Sequence, residues 1–338
     1  MIVEMRKSAK PQEIEDVVSS AKSLGLSVQL NVGTDKTVIA ILGSNTGQIS
    51  TDIFAVLPGV ENVTRIMKPY KLVSREFNPE NTVVKVGNVE IGGQRLVIMA
   101  GPCAVEDRTQ LDEAARIAKN AGASILRGGA FKPRTSPFSF QGLEKAGLEL
   151  LAEVKKKYEL PVITEVVDPH QVELVSKYAD ILQVGARNMQ NFALLTELGH
   201  ITQPVVLKRG FANTVTEWLT AADYILAGGN GKVILCERGI RSFEDSTRFS
   251  MDVSSIPVVK KFSHLPIIAD PSHAAGHYSL VPALARAAIA AGADGLLIEV
   301  HPNPKKALVD GLQSLTPSDF SRLMTELKLI AKSINRTL

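Results

Sequence analysis

Apolar positions follow two rhythms along this chain. In residues 1 to 70 they fall in short runs: IVEM, LSVQLNV, KTVIAIL and VENVTRI read as strands, and the middle two alternate as paired strands do. PQEIEDVVSSAKSLG carries helical spacing, with Pro11 at its start and Gly25 at its stop, and ISTDIFAVLPG reads as a second helix. The order is βαββαβ, the ferredoxin-like pattern. Residues 71 to 96 hold a linker without periodicity, then the run VVKVGNVEIGGQRLV, which predicts a hairpin turning at Gly87-Asn88.

From residue 97 the rhythm changes. The runs VIMAG, SILRGG, PVITEV, DILQVGA, PVVLKRG, KVILCERG, PIIADP and GLLIEV are apolar almost throughout, and helical stretches such as RTQLDEAARIAKNAG and LVPALARAAIAAGA lie between them. Strands without a polar face, separated by helices, imply a parallel sheet covered by helices. Eight such units in about 240 residues match a (β/α)₈ barrel; a doubly wound sheet is the weaker alternative. The predicted architecture is α/β: a ferredoxin-like domain (1–70), a linker and hairpin (71–96) and a catalytic (β/α)₈ TIM barrel (97–338).

In such barrels chemistry collects at the C-terminal ends of the strands. Those ends carry Cys103, Arg127, Glu165, Arg187, Lys208 with Arg209, Glu237 with Arg238, Asp270 with His273, and Glu299 with His301. One charged residue at a strand end means little, because every strand ends at a polar loop. The helix-to-strand ends, however, read Gly-Ala-Ser, Leu-Pro or Gln-Pro and carry few ionisable groups, so one rim is functional.

The rim sorts into two sets. Arg127, Lys132, Arg134, Arg187, Lys208, Arg209 and Arg238 are cations suited to phosphate and carboxylate, with Arg209 expected to point away because it neighbours Lys208 on one strand. Cys103, His273, Glu299 and Asp310, with His277 and His301 as spares, form a mixed donor set suited to a divalent metal such as Mn²⁺, Fe²⁺ or Zn²⁺. On spacing alone Cys103 is open to three readings: core thiol, nucleophile or metal ligand. Cys236 reads as core.

Composition narrows the partners. The net charge of +3 over 338 residues gives no reason to expect nucleic acid or an anionic membrane. Two separated cysteines fit a reducing compartment, and MIVEMRKSAK has no apolar signal core, so a cytoplasmic protein is expected.

The motifs AGPC (100–103), LRGGAFKPRTSP (126–137), QVGARNMQN (183–191), LKRG (207–210), CERGIRSFE (236–244), ADPSHAAG (269–276) and IEVHPNP (298–304) together resemble the 3-deoxy-D-arabino-heptulosonate 7-phosphate (DAHP) synthases, in the form related to the 3-deoxy-D-manno-octulosonate 8-phosphate synthases. The resemblance spans about residues 80 to 338. It implies condensation of phosphoenolpyruvate with erythrose 4-phosphate, releasing phosphate, at the entry to aromatic amino-acid synthesis.

The resemblance also implies one divalent metal ion held by Cys103, His273, Glu299 and Asp310. Phosphoenolpyruvate would be held by Arg127, Lys132, Ala186, Arg187, Lys208 and Arg238, and the sugar phosphate by Pro133, Arg134, Thr135 and Ser136. Lys132, its pKa lowered by neighbouring cations, is expected to protonate the new alkoxide, and Glu165 or Glu237 to orient the attacking water. Ser242 departs from the family's usual threonine. The N-terminal domain resembles a regulatory domain for feedback inhibition by phenylalanine or tyrosine, in a homo-oligomer for which a tetramer is expected. Alternatives are the octulosonate enzyme acting on arabinose 5-phosphate, a metal-dependent pyruvate aldolase, or an inactive amino-acid-sensing barrel.

Overall fold

The computed structural model describes residues 1–338 except 34–35, 44–45, 66–67 and 134–135. Two compact units emerge: Met1–Asn81 with Phe262–His264, and Thr82–Lys261 with Leu265–Leu338.

The first unit is a four-stranded antiparallel sheet. Its strands are β1 (Ile2–Met5), β2 (Ser27–Val32), β3 (Thr37–Leu42) and β4 (Val60–Thr64), in the order β2-β3-β1-β4. Helix α1 (Pro11–Ser23) buries Val17 and Ala21, one turn apart on one face, in a core with Val3, Met5, Ile39, Ile41 and Phe54. Helix α2 (Asp52–Ala55) is a single turn, shorter than the run ISTDIFAVLPG predicts. Pro58 and Gly59 stand past its end, after Val56 and Leu57, and Gly59 has φ 78°, so the helix cannot run on through them. His264 joins this unit: it is 5 % exposed, its Nε2 bonds the carbonyl of Leu72 at 2.8 Å, and its backbone N–H donates to Val73.

The second unit is a closed parallel barrel. Its strands are β7 (Val97–Gly101), β8 (Ile125–Arg127), β9 (Val162–Val166), β10 (Ile181–Val184), β11 (Val205–Lys208), β12 (Val233–Glu237), β13 (Ile267–Ala269) and β14 (Gly295–Glu299). All eight fall on the predicted apolar runs, and the hairpin β5 (Val84–Val86) and β6 (Val89–Ile91) lies where Gly87-Asn88 places it. Val84, Val86 and Ile91 of the hairpin share one core cluster with Val97, Met99, Ile163, Ile234, Cys236 and Leu297. Burying each large aliphatic side chain there contributes about 1.5–3 kcal/mol.

The surrounding helices are α3 (Arg108–Ala121), α4 (Glu144–Tyr158), α5 (Val172–Ser176), α6 (Phe192–Leu198), α7 (Val215–Ala227), α8 (Ser255–Phe262), α9 (Pro271–Ala275), α10 (Val281–Ala290) and α11 (Pro317–Ser333). Thr316 caps α11, accepting the Asp319 N–H, as the Thr-Pro pair predicts. Among the described residues no helix is long and apolar enough to cross a membrane.

Candidate active site

Short-range rules place the first donors. β7 ends at Gly101, whose φ is 151° and where a Cβ would collide with the carbonyl of Arg127; only glycine fits this close approach. Pro102 then turns the chain, and the buried Cys103 side chain follows. After β13, Asp270 is the N-cap of α9 and accepts the His273 backbone N–H at 3.0 Å, while Pro271 occupies the first turn. This compact Asp-Pro-Ser-His segment fixes His273 directly after the strand. Ser272 Oγ accepts the backbone N–H of Glu299 at 2.9 Å, locking the end of β14 beside α9. Asp310 sits in a left-handed conformation, φ 53°, one of the few such non-glycine residues in the chain. Backbone strain of this kind persists where the surroundings over-determine it.

These elements bring one ligand atom each from Cys103, His273, Glu299 and Asp310 to within 4.8 Å of one another. Cys103 Sγ lies 3.3 Å from Asp310 Oδ2, and His273 Nε2 lies 3.4 Å from Glu299 Oε1. His273 Nδ1 is 2.7 Å from Asp270 Oδ2, close but poorly aligned, and it has no other partner among the described residues. Thiol, imidazole and two carboxylates converging, with Lys132 and Arg127 at their edge, form a donor set that fits a borderline divalent metal. His277 bonds Ser279 and His301 faces Glu106, so neither spare histidine joins the cluster.

The electrostatics agree with that donor set. Burial lowers the pKa of His273, which favours the neutral imidazole that ligates. Burial opposes ionisation of Asp270, Glu299 and Asp310. Against that, attraction to the His273 ring and, behind it, to Lys208, Arg127 and Arg248 holds all three below the ordinary carboxylate range, Asp310 at about 2. Burial pushes the Cys103 thiol up, so a cation beside it is what would draw off its proton.

Above the cluster opens a cavity of about 420 Å³. Its cations divide by partner. Arg127 pairs with Glu299 at 2.9 Å, Lys208 with Asp270 at 2.5 Å and Arg248 with Asp310 at 3.2 Å. Lys132 Nζ lies 3.2 Å from both the sulfur and the carbonyl oxygen of Cys103. Arg187, Arg238 and Arg241 form no ion pair among the described residues; they gather around Phe211 and Phe249. Pro133, Ser136, Ala186, Glu165 and Gln183 complete the wall relevant here, and Gln183 Nε2 donates to Glu165 Oε2 at 3.4 Å.

Two expectations need correction, and one lies out of reach. Glu237 does not line the cavity. Its Oε2 accepts from Arg209 at 3.0 Å and Ser255 Oγ at 3.1 Å, and its Oε1 from the Gly239 N–H at 2.7 Å, because adjacent strand residues face opposite ways and Arg238 takes the cavity side. Arg209 turns away from the cavity by the same alternation, towards Glu237 and Asp252. Lys132 is not depressed: burial lowers it, but the sulfur of Cys103 and the carboxylates of Glu165 and Glu299 outweigh burial and Arg127, so its pKa is raised. Arg134 and Thr135 lie outside the described residues.

Arg241, Arg248, Phe211, Phe249 and Gln183 line the same cavity and escaped the strand-end reading. Gln183 was findable as a lone polar residue inside the apolar run DILQVGA. The others sit in loops with no periodic signal. Ser242 Oγ bonds Ser250 Oγ at 2.6 Å.

Comparison with known proteins gives the family. Residues 76–335 match the DAHP synthetase I family, and residues 1–68 match the DAHP synthase ferredoxin-like domain. The phospho-2-dehydro-3-deoxyheptonate aldolase of Thermotoga maritima is 50% identical over 334 residues, covering 99% of this chain and 98% of that protein. Its crystal structure superimposes with a TM-score of 0.79 at 49% identity, over 99% of this chain and 98% of that one. The 2-dehydro-3-deoxyphosphooctonate aldolase of Geobacter metallireducens is 34% identical over 266 residues, covering 73% of this chain and 97% of that protein. By sequence over its whole length and by its barrel and ferredoxin-like sheet, the chain belongs to the DAHP synthetase I family and is an enzyme of that kind, a 3-deoxy-7-phosphoheptulonate synthase.

Proposed function

We propose that this cavity condenses phosphoenolpyruvate with erythrose 4-phosphate, with one divalent cation held by Cys103, His273, Glu299 and Asp310. The observation that carries the reading is the division of the cations: three are matched to carboxylates at or beside a four-donor cluster, and three arginines in the same cavity have no carboxylate partner among the described residues. A site with uncompensated guanidinium groups is built for anionic substrates. The cation, when bound, supplies Lewis-acid polarisation of an aldehyde carbonyl.

The chain's own residues do the rest. Arg127 and Lys208, held by Glu299 and Asp270, are rigid cations on the cavity floor, suited to the carboxylate of phosphoenolpyruvate. Arg187 and Arg238, with Ala186 shaping the wall, take its phosphate. Pro133 and Ser136 line the cavity wall and take the sugar phosphate, with Arg134 and Thr135 between them in the sequence. Carbon C3 of phosphoenolpyruvate attacks the aldehyde carbon, leaving positive charge at C2. Lys132, kept protonated by the anions around it, donates its proton to the new alkoxide. Glu165 orients water towards C2 and accepts its proton, and phosphate then leaves by C–O cleavage. Glu165 takes this role alone, since Glu237 faces Arg209.

Erythrose 4-phosphate is favoured over arabinose 5-phosphate by the higher identity to the heptonate aldolase and by the ferredoxin-like domain match. The test is chelated protein with Mn²⁺, Fe²⁺ or Zn²⁺ added back and phosphoenolpyruvate consumption followed with each aldose phosphate. Turnover without restored metal, or preference for the pentose phosphate, overturns the reading. The same domain match supports feedback inhibition by phenylalanine or tyrosine in a homotetramer. Deleting residues 1 to 70 then leaves turnover but abolishes inhibition, and persisting inhibition sinks the assignment.

A further inference from the structure

The arginines without carboxylates are not without partners. Phe211 follows β11, and Phe249 lies beyond the irregular segment after β12; their rings stack with centroids 5.3 Å apart and planes 7° from parallel. Both are tied to the backbone framework. The Phe211 carbonyl accepts the Arg241 N–H at 2.6 Å, and the Phe249 N–H donates to Ala274 O at 2.9 Å. Around this pair, the Arg238 guanidinium carbon lies 3.8 Å from the Phe249 ring centre and 5.1 Å from that of Phe211. Arg187 and Arg241 lie 5.4 and 5.0 Å from Phe211.

Three like charges around one pair of rings repel one another, and Arg238 is only 3 % exposed. Its one hydrogen bond to protein among the described residues is a long contact, 3.5 Å, to the Gly239 carbonyl. Burial lowers its pKa to about 10. A carboxylate would hold such a group in place, but would also consume its charge and its N–H fork. A ring attracts the cation through its quadrupole and neither neutralises it nor accepts its hydrogen bonds. The fork stays available for bidentate contact with an oxyanion.

We propose that Phe249 and Phe211 are positioning residues that hold Arg187, Arg238 and Arg241 as a preorganised seat for the dianionic phosphate of a phosphorylated substrate. This rests on the reading of the cavity as a phosphoenolpyruvate site and adds the device that keeps its arginines in place. Ring contacts of this kind are worth roughly 0.5–2 kcal/mol, about 2- to 30-fold in binding at 1.4 kcal/mol per decade.

The experiment is calorimetric titration of metal-free protein with phosphoenolpyruvate and with inorganic phosphate, beside steady-state kinetics of the metal-loaded protein. Phe249→Leu is expected to weaken both ligands about 10-fold and to raise KM for phosphoenolpyruvate more than it lowers kcat. Phe249→Tyr, which keeps the ring, restores both. Unchanged affinity in Phe249→Leu, a loss that Phe249→Tyr fails to rescue, or a fall in kcat with KM intact would overturn the proposal. Should Phe249→Leu not fold, Phe211→Leu carries the same expectations, since Phe211 is only half-buried. The two readings fail separately. If the unaltered protein ignores phosphoenolpyruvate, the substrate reading falls, while weaker phosphate binding in Phe249→Leu still supports the seat.

Discussion

Gly185→Ala offers a way to move one carboxylate without removing it. Gly185 lies between β10 and the turn at Ala186–Asn188, with φ −69° and ψ 159°, a conformation alanine adopts freely. Its added Cβ would overlap Glu165 Oε1 and lie 3.0 Å from Glu165 Cδ. The carboxylate must therefore retreat by roughly 1 Å, to restore ordinary van der Waals separation. The Glu165 head is the end of a flexible side chain, so this costs about 0.5–1.5 kcal/mol of rotamer strain and leaves the fold intact. For a group that orients water, a displacement of 1 Å costs about 10²-fold in rate, near 2.7 kcal/mol in the barrier. Turnover of Gly185→Ala with both substrates saturating is expected to fall about 100-fold, with affinity for phosphoenolpyruvate changed less than threefold. Glu165→Gln in parallel gives the cost of losing the charge itself. Turnover of both variants within threefold of the unaltered protein would refute the role of Glu165. A slow Glu165→Gln beside a normal Gly185→Ala would refute the geometric part.

Further outcomes follow from the same contacts. Asp270→Asn keeps an N-cap oxygen for α9 but removes the charge beside His273 and Lys208; metal affinity by chelator competition should fall about 10- to 100-fold. Glu237→Gln strips a fully buried partner from Arg209, which keeps Asp252, and should cost about 1–3 kcal/mol in urea unfolding, with turnover per folded molecule within threefold. His264, buried against Leu72, has its pKa lowered from 6.5 to about 4 by desolvation. The unfolded state therefore takes up the proton first: stability is full above pH 6.5, falls as pH drops below it, and levels off below pH 4. The loss reaches about 2 kcal/mol by pH 5, and His264→Gln should flatten that part of the urea-denaturation profile; equal slopes in the two proteins would contradict the assignment.

The sequence by itself determined the order of elements. A strand covered on both sides has no polar face, so the eight apolar runs had to be strands of a covered parallel sheet, and their near-equal spacing favoured a barrel over a doubly wound sheet; the functional rim followed from which end of each run was ionisable. The Asp-Pro-Ser-His cap that presents His273 is local in sequence, but the approach of β7 to the Arg127 carbonyl, which Gly101 permits, joins two strands and belongs to the folded chain. The tertiary structure decided what lies between elements. Glu165 and Glu237 both stand at strand ends, and only the closure of the barrel sets which of them faces the cavity and which meets Arg209. Arg241, Arg248, Phe211 and Phe249 carry no periodic signal, because loops converge through the packing of several distant segments and not through any local repeat. The charge state of Lys132 likewise depends on neighbours 29, 33 and 167 positions away along the chain, Cys103, Glu165 and Glu299. Their summed field follows distance in space, which only the folded chain defines.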